Sequence, residues 1–127
     1  MKKTIVVSSA GGSVAVSVLF GFASIGRYWA CLYDGADKNP KPIGEGASDD
    51  DLPDVLPLGS AGDLSGRLLF IRCSAASASG TPDLIGSTLQ FLQDGKEIPD
   101  GSVALTAAVN PGQEADFNFA VRLQVGS

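Results

Sequence analysis

From Ser13 to Phe22 the chain alternates, with Val14, Val16, Val18, Phe20 and Phe22 at every second position and Ser13, Ala15, Ser17, Leu19 and Gly21 between them. A period of two sends successive side chains to opposite faces of an extended backbone, so this segment predicts a strand with one strongly apolar face. The pattern returns near the end of the chain, where Phe117, Phe119, Val121, Leu123 and Val125 alternate with Asn118, Ala120, Arg122 and Gln124. A slip of one residue in either strand would turn its whole apolar set toward water, so these two faces specify pairing strongly. Burying the large side chains on both faces would contribute roughly 15–30 kcal/mol, an upper bound because unfolded chains are already partly collapsed.

Weaker forms of the same signal predict further strands at Thr4 to Ser8, Arg27 to Tyr33, Arg67 to Ser74, Ser87 to Gln93 and Val103 to Val109. Asp94-Gly95 is a two-residue hairpin signal, since a type I′ turn needs positive φ at both central positions. Gly11-Gly12 reads as a further hairpin turn, and Pro99-Asp100-Gly101 and Asn110-Pro111-Gly112 as two more turns. No segment carries apolar residues at helical spacing over three turns. Sixteen glycines and seven prolines fit many short strands joined by turns better than they fit helices. The expected fold is all-β: an antiparallel β-sandwich of about seven to eight strands, with residues 1–127 forming a single domain. One long acidic, Gly/Pro-rich connection at residues 34–65 interrupts the strands. A second flexible candidate is Ser74 to Gly80, whose small residues offer little to bury.

Composition narrows the chemistry. The chain has no histidine, which removes the commonest general base and the commonest neutral metal ligand, and with them any Ser-His-Asp or Cys-His nucleophile. Its formal net charge is −5, and its nine Lys and Arg residues are scattered. Nucleic acid and anionic membrane need a basic footprint and are not expected partners. No unbroken apolar segment is long enough to span a membrane as a helix. Met1-Lys2-Lys3 followed by Thr4 to Val7 resembles the start of a secretory leader, but Ser8, Ser9, Gly11, Gly12 and Ser13 interrupt it. Cys31 and Cys73 lie in predicted strands and are expected as buried, reduced thiols, with a disulfide as the alternative; cytoplasmic localisation follows from that reading.

Two places could carry a ligand. In the long connection, Asp34, Asp37, Asp49, Asp50, Asp51 and Asp54 supply the hard oxygen donors that calcium prefers, although their spacing is not that of the twelve-residue calcium loop and Lys38 and Lys41 lie beside them. The plainer reading is a solvated acidic loop. The other place is Tyr28, Trp29 and Tyr33, where alternation puts Trp29 and Tyr33 on one face and Tyr28 on the other. Trp29 is expected in the core; if exposed, it would instead form a stacking surface for a sugar or a peptide. The function expected is a non-enzymatic protein-interaction or structural module, binding a protein partner or a second copy of itself, and needing no cofactor. The alternative is a calcium-dependent carbohydrate- or lipid-binding module built on the acidic connection.

Overall fold

A computed structural model describes residues 2–21, 25–34, 38–48, 54–76, 83–110 and 113–126. Among them are nine strands: β1 (Lys2–Ser8), β2 (Ser13–Gly21), β3 (Ile25–Tyr33), β4 (Lys41–Ser48), β5 (Asp54–Ser60), β6 (Leu68–Ala76), β7 (Asp83–Gln93), β8 (Lys96–Val109) and β9 (Glu114–Gly126). A single 3₁₀ turn at Gly62–Leu64 links β5 to β6. The strands form two sheets, one of five in the order β1-β9-β6-β3-β4 and one of four in the order β5-β2-β7-β8. Every pairing is antiparallel except β1 with β9, which run parallel from Lys2↔Ala120 to Ser8↔Gly126. The fold is thus the all-β sandwich that the alternation predicts. No helix among the described residues is long and apolar enough to cross a membrane.

The core is the layer between the sheets. From β2 it takes Val14, Val16, Val18 and Phe20, and from β9 Phe117, Phe119, Val121 and Leu123. Phe22 lies outside the described residues, and Val125 packs against the rim of the core half-buried. Backbone close to large side chains completes the packing. Gly26 faces the buried Phe20 so closely that a Cβ there would lie 2.5 Å from the ring. Gly46 on β4 lies under the Tyr28 ring in the same way, and a Cβ there would meet its hydroxyl at 2.8 Å.

Residues 34–65 depart most from expectation. They form two strands, β4 and β5, and the chain passes from one sheet to the other between them. β4 escapes notice because its core-facing positions include Gly44 and Gly46, whose missing side chains are replaced by Leu56 and Tyr28 reaching in from neighbouring strands. β5 does alternate, with Leu56 and Leu58 buried, but Pro57 within it reads as a strand breaker. An edge strand tolerates that proline, because its outer backbone positions need no partner. Ser74 to Ala76 of the second flexible candidate belong to β6, and residues 77–80 lie outside the described set.

Turn chemistry holds at Asp94-Gly95, where φ values of 53° and 79° join β7 to β8. Gly11-Gly12 does not make a hairpin; it arches from β1 in one sheet to β2 in the other. Pro99-Asp100-Gly101 is no chain reversal either. Asp100, with φ 57°, sits in a bulge of a continuous β8, where Glu97 to Ser102 face only Leu92 to Gln90 of β7. In the Asn110-Pro111-Gly112 turn, Gln113 N donates to Asn110 O at 3.0 Å, and Pro111 and Gly112 lie outside the described residues. Both cysteines are free and buried. Cys73 points into the core opposite Tyr28, and Cys31 lies on the other face of its sheet opposite Phe70. Opposite faces of one sheet keep the two sulfurs apart.

The Gly26–Phe20 contact yields a direct test. Gly26→Ala is expected to destabilise the domain by about 1–3 kcal/mol, the usual cost of overpacking. Thermal melts of Gly26→Ala alone and of Gly26→Ala with Phe20→Leu check this, because the smaller second side chain should restore part of the loss. An Ala variant as stable as the parent would remove the contact from the account of the core.

Candidate functional site

The outer face of the five-stranded sheet is laid out by register. Trp29 of β3 lies between Glu45 of β4 and Arg72 of β6. In the next row Cys31 lies beside Phe70, and beyond it Tyr33 beside Leu68. Arg27 stands at the other end beside Ser74, whose hydroxyl donates to Asp116 Oδ1 at 2.6 Å. Trp29 is 40% exposed, which overturns its expected place in the core. The reason is parity. Arg27, Trp29, Cys31 and Tyr33 share one face, and a face that must keep the Arg27 guanidinium in water cannot be the buried one. The core receives Tyr28, Ala30 and Leu32 instead. Phe70 one row along, and Tyr33 with Leu68 two rows along, are half-buried on the same face, so the indole is flanked by charged side chains across the sheet and continues into aromatic and aliphatic ones along it.

The candidate calcium ligands are distributed differently from a site. Asp34 closes the turn after β3, accepting from Lys38 N at 2.9 Å and from Asn39 Nδ2 at 2.8 Å, with Asn39 at φ 53°. Asp54 begins β5 and accepts from the Tyr28 hydroxyl at 2.9 Å. Asp34 lies six residues beyond Tyr28 along β3, about 20 Å at 3.3 Å per residue. One calcium ion with ligands at about 2.3–2.6 Å cannot use both carboxylates. Asp37, Asp49, Asp50 and Asp51 lie outside the described residues. Among the described residues no three of the acidic or cysteine side chains come together as a metal-binding group.

Tyr28 and Asp54 form a latch. The phenol crosses above Gly46 and ties β3 of one sheet to β5 of the other across the edge they share with β4. Burial, and after it the hydrogen bond to Asp54 and that carboxylate's charge, push the Tyr28 pKa up to about 12. The neutral phenol is therefore favoured in the folded state, and the stabilisation is complete below the ordinary tyrosine value of about 10. It falls as pH rises from about 10 through about 12, where the unfolded chain ionises first.

Sequence reading missed a groove of about 540 Å³ along the seam between β1 and β8, lined by Val6, Ser8, Gln93, Lys96, Glu97 and Ile98 among others. Its floor is held by Gln93, whose carboxamide accepts from Ser8 N at 2.9 Å and donates to Ser8 O at 2.8 Å. Asp94 accepts from Gly12 N at 2.9 Å beside it. Lys3 Nζ reaches across the seam to Ser102 O at 3.2 Å. These contacts join residues 82 to 99 apart in the chain, and nothing local to either partner signals them. No protein-family model, curated protein or solved structure matches the chain.

Two measurements follow. Tyr28→Phe should remove the part of the alkaline stability loss that lies between about pH 10 and pH 12, read from denaturant midpoints across that range. An unchanged pH profile would dissociate the latch from stability. Trp29 is the chain's one tryptophan, so its fluorescence reports this face alone. Native-state quenching by acrylamide should approach that of the denatured chain, whereas quenching several-fold weaker would return the indole to the interior.

Proposed function

We propose that this protein is a non-catalytic interaction module that binds a protein partner through the outer face of its five-stranded sheet. The observation that carries the reading is the exposed Trp29, set between Glu45 and Arg72, with Phe70 one row and Tyr33 two rows further along the same face. Tryptophan, tyrosine and arginine are the residues most enriched at the energetic centres of protein interfaces, because each combines a large apolar area with a polar or charged group. Here they lie on rigid strands rather than on loops, which lowers the entropy lost on binding. The mixed rim, with Arg27 and Arg72 against Glu45 and Asp116, suits a protein surface better than a polyanion. A flat sheet face also suits a protein better than a small molecule, which needs a concave pocket.

The reading is tested by placing a photoreactive amino acid at position 29 and, as a control on the other sheet, at the exposed Val55. Irradiation in the native host should give a discrete protein adduct from position 29 and none from position 55. Arg72→Ala, in the background of the position 29 crosslinker, should weaken that adduct by about tenfold, the scale of losing one interface centre residue. Equal products from the two positions, or none from position 29, would remove this face as the binding surface.

A further inference from the structure

Each sheet leaves two strands at its edges, and an edge strand exposes unpaired backbone groups that invite another strand. Three of the four edges are blunted. β1 carries Lys2 and Lys3, and its Ser8 backbone is already engaged on the outer side by the Gln93 carboxamide. β4 carries Lys41, Pro42 and Glu45 and is broken in register opposite Ala30 and Cys31. β5 contains Pro57, which has no N–H, and its pairing with β2 shifts at Val14 and Ala15. The first half of β8 is protected as well, by Lys96, Glu97, Pro99 and the bulge at Asp100, and the Lys3 contact on Ser102 O closes it.

Beyond Ser102 no such device exists. Val103 to Val109 is seven residues of β8 with no charge, no proline and no glycine. Among the described residues no strand lies on its outer side. Ser102 O faces outward to Lys3, and the Leu105 carbonyl faces inward, close to Gly86 of β7. Strand alternation then points the N–H and C=O of Ala104, Thr106 and Ala108 away from the sheet. The side chains of these three residues are exposed and small, so none of them blocks an incoming strand on the face they share.

We infer that the outer edge of β8 pairs with the same edge of a second copy, antiparallel about a two-fold axis at Thr106. The pairing sets Ala104 against Ala108 of the second copy and Thr106 against its counterpart, all three with outward backbone groups, and so makes about six backbone hydrogen bonds. A second copy is the occupant because the segment is complementary to itself in the way a closed two-fold interface requires: it brings no like charges together, and it pairs threonine with threonine on one face. Two four-stranded sheets thereby become one continuous sheet. This interface lies on the sheet that does not carry Trp29, and it holds whether or not the Trp29 face binds a partner.

Sedimentation equilibrium over micromolar to millimolar concentration tests it, together with hydrogen exchange resolved to single amides. The wild type should be a monomer–dimer system in which Ala104, Thr106 and Ala108 amides gain protection as concentration rises. Thr106→Lys sets like charges opposite each other at the axis and should weaken dimerisation at least about tenfold. Thr106→Pro removes an outward N–H and should do the same, circular dichroism confirming that each variant is folded. A wild type that stays monomeric throughout, an open-ended assembly, or a dimer in which those three amides exchange as fast as in the monomer would overturn the inference. The last readout uses the wild type alone and needs no folded variant.

Discussion

The apolar layer between the sheets holds because β2 and β9, one from each sheet, each commit four large side chains to it at strict two-residue spacing. That spacing removes the register freedom of both strands at once. With β2 fixed, its neighbours β5 and β7 are fixed, and with β9 fixed, so are β6 and the parallel β1. The remaining strands add area to a frame whose geometry those two have set, and β3 follows from its pairing with β6 over nine residue pairs from Ile25↔Ala76 to Tyr33↔Leu68. Each surface described above is the reverse side of this constraint. Trp29 is outside because Tyr28, Ala30 and Leu32 are inside.

The frame still has to close at its sides, and the two sides do so by different means. At the β4–β5 side the chain itself crosses between sheets, and the Tyr28–Asp54 hydrogen bond spans the gap above Gly46. At the β1–β8 side no segment links the two edge strands directly, since the chain leaves β1 for β2 and leaves β8 for β9, and polar side chains do the work instead: Gln93 fills the place of a neighbouring strand at Ser8, and Lys3 reaches Ser102. A carboxamide presents one donor and one acceptor in a plane, as a peptide group does, so Gln93 satisfies an edge without offering a further edge to pair. The seam groove is the space this arrangement leaves.

How much of this was legible follows from where the information sits. β2 and β9 carry their own apolar faces, and both were plain in the sequence, as was the Asp94-Gly95 hairpin, which depends on two adjacent residues. β4 was not, because a strand whose core-facing positions are Gly44 and Gly46 shows no hydrophobic period; its share of the core is Leu56 and Tyr28, supplied from elsewhere. The orientation of Trp29 was in principle readable, since Arg27 shares its parity, but the indole's own apolarity argued the other way. The seam contacts were beyond reach, as Ser8 and Gln93 meet only after both sheets have formed. Asp34 and Asp54 look like neighbours in one acidic stretch, yet β3 and the route through β4 separate them.

The geometry of an edge-to-edge dimer bears on the Trp29 face. Antiparallel pairing of β8 with its copy places the two-fold axis perpendicular to the four-stranded sheets, so the faces of the joined sheet are preserved across the interface. Both five-stranded sheets then lie on the same side of that joined sheet, and both Trp29 faces point the same way. A module with weak affinity for a repetitive or dimeric partner gains most from this arrangement, because the second contact forms at the effective concentration set by the first. The gain needs no new contact at Trp29. It depends only on seven uncharged residues of β8 having no strand beside them among the described residues while the other edges are blunted.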